Sequence, residues 1–173
     1  MKQEQKSDSR GRAFVTFILR RCLQDKGEAA RLRRADNPAT EYQSWETLAA
    51  FHIDIDKSWL RLPFTTVAAA LARAKVEQNG SSGIGQALAG CYEKGNDSDQ
   101  AKARLRRLLA CDSVEEVCRI LRPVLSLIDS RGHHSLDYAR LLDQLLKFRW
   151  DAQTIKARWA QDFYRRTVAE VQS

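Results

Sequence analysis

The chain has 173 residues, 43% hydrophobic and 29% charged, which suits one domain or two small helical lobes around a real core. Its 8 Gly and 3 Pro are too few for the many tight turns of a β-sandwich or barrel, and no run of about 18 apolar residues offers a membrane span. Net charge is +7, carried by 20 Arg against 9 Lys; this asks for an anionic partner, and guanidinium binds phosphate bidentately where an ammonium does not.

In chain order, Met1–Gly11 reads as a polar, disordered lead-in without an apolar stretch, which points to the cytoplasm. Phe14, Phe17, Ile18 and Leu23 then recur at near-helical spacing, and Glu28–Ala35 is a short basic helix ended by Asn37-Pro38. A helix from about Thr40 carries Tyr42, Trp45 and Leu48, and another runs Leu60–Lys75. Residues 76–83 (VEQNGSSG) read as a linker or mobile loop. Ile84–Tyr92 is a short helix anchored by Leu88, and Gln100–Ala110 turns Leu105, Leu108 and Leu109 inward. Ser113 and Glu116 form a capping box, opening a helix with Val114, Val117, Leu121, Leu125 and Ile128 inward, which Pro123 should bend or break. Ser135 is expected to cap a leucine-rich helix, and a last helix runs from about Asp151 to Val168 with Ile155, Trp159 and Phe163 as its stripe. The expectation is an all-α, compact bundle of seven to nine helices: an N-terminal lobe (12–75), a loop (76–83) and a C-terminal lobe (84–168).

Charge is uneven. Residues 10–34 hold eight basic and two acidic side chains, residues 35–60 one and five, and residues 102–122 six and three. Arg104 and Arg107 are three apart, as are Arg119 and Arg122, so each pair shares a helix face. Packed across the turn at Asp112-Ser113, the four could form one exposed patch for phosphates. The acidic stretch could meet a basic neighbour protein.

Chemistry is sparse. Cys22, Cys91, Cys111 and Cys118 form no CxxC pair and read as free, mostly buried thiols. His52 with Asp54 and Asp56 reads as a helix end and turn rather than a metal site, and His133-His134 as a surface loop. The four tryptophans read mostly as core. No P-loop, GxGxxG or nucleophile motif occurs, so neither catalysis nor a cofactor is expected.

Three segments taken together carry a resemblance. They are Leu136–Lys147 (LDYARLLDQLLK) followed by Lys156–Tyr164 (KARWAQDFY), Arg104–Asp112 (RLRRLLACD) running on to Arg119 and Arg122, and Gly85–Ala89 after a flexible loop. In this order, over about residues 12–165, the chain resembles the CasB family, the small subunit of the type I-E CRISPR surveillance complex called Cascade. The resemblance implies a two-lobed helical fold without catalysis. It implies two copies packed head to tail, beside the complex's large and backbone subunits, guide CRISPR RNA and target DNA, with no small-molecule substrate. It also implies a basic groove that stabilises the R-loop by holding the displaced strand. Positions matching the family's DNA-facing residues are Arg34, Arg104, Arg122, Arg140 and Lys147, with Arg33, Arg107, Arg119 and Arg149 as neighbours. Gln86 and Ser113 stand where relatives can carry a basic residue. The alternative reading is a helical, sequence-specific DNA-binding transcriptional regulator using the 102–122 pair as a helix-turn-helix. A nuclease would need clustered carboxylates, and the acids here are scattered.

Overall fold

The computed structural model describes residues 8–132 and 135–165; His133-His134 and Val168 fall outside this range. The described residues form α1 (Arg10–Gln24), α2 (Lys26–Arg34), α3 (Trp45–Ala50), α4 (Ser58–Ala74), α5 (Ile84–Gly90), α6 (Asp99–Leu109), α7 (Val114–Ser130) and α8 (Tyr138–Tyr164), with short 3-10 turns at Pro38–Ser44 and Gly95–Asp97. Strand pairing among them is limited to one parallel bridge, Ser82 to Leu136. The all-α expectation holds, with eight helices.

α4 is the axis. It is buried on every side from Pro63 to Ala72, as a helix hydrophobic all round must be. Ala68, Ala69, Ala70 and Ala72 keep it slim, so α1, α2, α7 and α8 all pack directly on it. Both lobe segments of the sequence feed one buried cluster, from Phe14 and Ile18 of α1 to Trp159 and Phe163 of α8. Phe14 meets Phe51 and Phe64 edge-on, with centroids 5.0 and 4.8 Å away, a favoured aromatic geometry. A buried polar node holds α1, α2 and α3 together. The Glu28 carboxylate accepts from Arg21 Nε at 2.8 Å and from Thr47 Oγ1 at 2.7 Å, as a buried charge requires.

Several local expectations are corrected. α1 starts at Arg10, inside the supposed lead-in, because Ser9 Oγ accepts from the Arg12 amide at 3.1 Å and caps it. Gly11 then seats the helix on α8: any Cβ there would strike the Ala139 carbonyl. Leu23 and Tyr42 face solvent, so their spacing is accidental. α7 runs unbroken through Pro123; the ring is exposed, and the helix is held from its opposite face by Leu121, Val124 and Leu125. The capping box forms with a shift: Ser113 Oγ accepts from the Glu116 amide at 3.2 Å, while the Glu116 carboxylate reaches the Asp112 amide at 3.0 Å. Asp137, not Ser135, caps α8, accepting from the Arg140 amide at 2.9 Å.

Residues 79–82 are pinned rather than a free linker. The amides of Ser81 and Ser82 both donate to the Ser135 carbonyl at 2.8 Å, and the Asp137 amide donates back to Ser82 O at 2.8 Å. Asn79 Nδ2 also donates to Asp137 Oδ1 at 2.7 Å.

α8 is broken at Asp151 (φ −133°, ψ 30°), where the sequence places the start of its last helix. The break is sharp. Trp159 Nε1 donates to Gln144 Oε1 at 2.7 Å, although fifteen residues of straight helix would separate them by about 22 Å. Phe148 and Trp159 stack across the bend with centroids 6.1 Å apart. The second half then carries Ile155, Trp159 and Phe163 into the core. α5 crosses it so closely that a Cβ on Gly85 would strike the Trp159 carbonyl.

All four cysteines are free, and three are buried. Burial pushes the Cys118 thiol up to about 12 and the Tyr138 hydroxyl up to about 12. The folded state holds both protons more tightly than the unfolded state. Stability from these groups is therefore present at neutral pH and falls as pH rises from about 9 toward 12. We expect urea-unfolding midpoints to drop across this window, with a shallower drop in Cys118→Ala, whose cavity cost is independent of pH. Trp159 is fully buried, and Trp159→Ala should cost about 3–5 kcal/mol in the same assay, beyond most single substitutions.

Candidate nucleic-acid interface

The bend at Asp151 builds a cleft. Arg140, Asp143, Gln144, Lys147 and Asp151 recur every three or four residues on one face of α8, and the returning half brings Ile155 and Arg158 to the same space. The start of α1 closes it with Ser9 and Arg12, giving a volume of about 280 Å³. Four cations, Arg12, Arg140, Lys147 and Arg158, thus meet the carboxylates of Asp137, Asp143 and Asp151.

Two of those carboxylates are already committed to backbone and amide donors. Asp143 accepts from the Gly11 amide at 2.8 Å, and Asp137 caps α8 and binds Asn79. Arg140 is also engaged: it donates to the Ser81 carbonyl at 2.7 Å and lies 3.5 Å from Asp137. Arg12 makes only a long, exposed ion pair with Asp8, at 3.9 Å. Lys147 and Arg158 are exposed and have no ion-pair partner among the described residues. Such an arrangement can take successive anionic groups, with Lys147 and Arg158 as the free donors and Arg140 as a partly spent one.

The remaining residues singled out from sequence lie on other elements. Arg33 and Arg34 are both exposed at the end of α2. Arg33 donates to the Ala72 carbonyl at 3.5 Å and lines an apolar groove of about 440 Å³ with Leu19, Leu23, Leu71 and Val76. Arg149 is spent on Trp59 of α4, its guanidinium 4.3 Å above the ring.

The four-guanidinium patch divides. Arg104 and Arg107 sit against Ile120, Pro123 and Val124 of α7; Arg107 is exposed, but Arg104 is half-buried and donates to Tyr92 Oη at 2.7 Å. Arg119 is exposed and 3.9 Å from Glu116. Arg122 lies two residues, hence about 160°, around the helix from Ile120. Its Nε is buried without a partner, and its charge acts on the Cys118 thiol beside Thr66 of α4. Neither Arg104 nor Arg122 is fully exposed, contrary to expectation, because both guanidinium stems pack at helix contacts.

Sequence reasoning missed Arg12 and Arg158. Their signals were present: Gly11 beside Arg12 marks a close helix approach, and a helix break at Asp151 turns Arg158 back toward Lys147. Two tryptophans are also corrected. Trp45 is 39% and Trp150 69% exposed, whereas Trp159 is core. His52 ends α3 in a left-handed turn (φ 60°). Asp54 pairs with Lys57 at 2.8 Å, and this contact holds its carboxyl below the usual carboxylate range. No cluster of three or more metal-ligating side chains occurs among the described residues, and none of their helices is long and apolar enough to cross a membrane.

A family model described as CRISPR-associated protein Cse2 matches residues 28–164. A CRISPR-associated protein Cse2 of Thermus thermophilus is 31% identical over 88 residues, 50% of this chain and 49% of the relative, so the match spans about half of that protein's length. The crystal structure of M. ruber CasB superposes with a TM-score of 0.71 at 27% identity, covering 95% of this chain and 97% of that one. The crystal structure of a Cse2-family protein of Thermus thermophilus gives 0.71 at 24% identity over 91% and 99%, and CasB of Thermobifida fusca gives 0.58 at 19% over 88% and 98%. These last two share the fold.

The cleft separates structural from free cations, which gives an expected outcome. Arg140→Ala should cost about 1 kcal/mol in chemical denaturation, since it leaves the Ser81 carbonyl without its donor. Lys147→Ala and Arg158→Ala should stay within about 0.5 kcal/mol of the parent.

Proposed function

Because this chain belongs to the CRISPR-associated Cse2 family, we propose that it is a non-catalytic small subunit of the type I-E RNA-guided surveillance complex, holding the displaced DNA strand in the cleft between α1 and the bent α8. The observation that carries this reading is the convergence of Arg12, Arg140, Lys147 and Arg158 on one cleft, two of them without ion-pair partners among the described residues. R-loop formation exchanges one duplex for another at nearly balanced free energy, so phosphate contacts to the displaced strand can tip it. The guide RNA reads sequence; this subunit needs only positive charge and shape. Its partners in this reading are the large and backbone subunits, the guide RNA, the target DNA and a second copy of itself, in the cytoplasm. Arg33, Arg34, Arg107 and Arg119, exposed on other helices, offer further phosphate contacts, while Arg104, Arg122 and Arg149 act chiefly through the helices they brace.

A transcriptional regulator would need a helix free to enter the major groove. α7 instead buries seven of its residues and packs on α4, so no observation favours that alternative. The discriminating measurement is a salt titration of binding to unrelated single strands and duplexes. The double variant Lys147→Ala/Arg158→Ala should weaken all sequences equally, and its salt slope should fall by roughly 0.7 per lost contact on a single strand and 0.9 on duplex. In the assembled complex the same variant should open less R-loop with guide loading unchanged. Loss of affinity for one sequence only, or an unchanged salt slope, defeats this reading.

A further inference from the structure

Trp150 stands largely outside the core. Its indole is 69% exposed, one residue before the break in α8. The other three tryptophans are each engaged: Trp45 under Arg61, Trp59 under Arg149, and Trp159 with Gln144 and Phe148. Of the four tryptophans, Trp150 is the one with no aromatic or cationic group on its ring face among the described residues.

Its position follows from helix geometry. At 100° per residue Trp150 lies about 20° around α8 from Asp143 and about 60° from Lys147. It therefore borders the row of side chains that lines the cleft, at the elbow where the two halves meet. Its exposed chain neighbours, Lys147, Arg149, Gln153 and Thr154, are all polar or cationic. An aromatic anchor for a protein partner is ordinarily the centre of an apolar patch, and these exposed chain neighbours supply none. A bare indole beside unpaired cations is instead the combination that binds single-stranded nucleic acid, the ring taking a base while the cations take the backbone.

We propose that Trp150 is a stacking platform for a nucleobase of the strand whose phosphates Lys147 and Arg158 hold. The assignment rests on the nucleic-acid reading above and adds to it. The cleft is not a charge trap alone, and the strand enters it with at least one base turned toward the elbow. A stacking face accepts any base, so this contact adds affinity without reading sequence.

The test compares a poly-dT single strand with an abasic strand of the same length and charge, both titrated against the full chain at low salt by fluorescence anisotropy. The poly-dT strand should bind at least about fivefold more tightly, the equivalent of one stacked base. Trp150→Ala should reduce poly-dT affinity to the abasic level and leave abasic affinity unchanged, while Trp150→Phe keeps most of the difference. If the parent binds both strands equally, or Trp150→Ala binds poly-dT as the parent does, the stacking assignment is wrong and the phosphate cleft stands. If Trp150→Ala instead joins the assembled complex less completely, with strand affinities intact, the indole is a protein anchor and the assignment is likewise wrong. If the parent binds neither strand, the nucleic-acid reading fails and this one with it.

Discussion

The buried hydrogen bond from Trp159 to Gln144 holds the bend on which both core and cleft depend. Trp159 takes a large apolar surface out of water and carries one N–H that must find an acceptor when buried. Gln144 supplies it from the first half of the same helix, so the second half can dock in only one direction. That direction sends Ile155, Trp159 and Phe163 inward, seats α5 through Gly85, and leaves Arg158 facing Lys147. An unsatisfied amide or indole in the interior would cost about 1–3 kcal/mol, so the two groups specify each other.

The rest of the bundle is arranged by small residues. α4 can touch α1, α2, α7 and α8 because five of its eleven buried residues are alanine, and α1 meets α8 because residue 11 has no side chain. Close backbone approach lets the Gly11 amide reach the Asp143 carboxylate, tying the N-terminus of one helix to the side of another. Negative charge at a helix N-terminus is favourable, so Asp143 serves the fold while bordering the cleft.

Much of this was legible in sequence because it is local. The Val114–Ile128 stripe, the Ile155–Trp159–Phe163 stripe, the change of helix at Asp151 and the Ser113 cap all follow from spacing within a few turns. What was not legible depends on which distant segment packs where. Arg12 and Arg158 are 146 positions apart in sequence and share the cleft only because α8 reverses. Arg122 resembled Arg119 in pattern but turns toward α4. Leu23 fits an apolar periodicity and Trp150 is the kind of residue that usually joins a core, yet both are largely exposed, since neither period nor residue type says whether a face has a partner. The 76–83 segment has a linker's composition, and its pinning comes from carbonyls near residue 135.

That pinning has a kinetic reading. Ser82 and Ser135 are 53 positions apart, so joining them closes a ring of chain containing all of α5, α6 and α7. Closure of such a ring costs roughly 3–4 kcal/mol of chain entropy, more than any one backbone bond returns. The strap therefore cannot form early as a nucleus. It waits until α7 and α8 have docked on α4, and like the packing of α1 on α8 it joins segments distant in sequence, which slows folding relative to a simple up-and-down bundle.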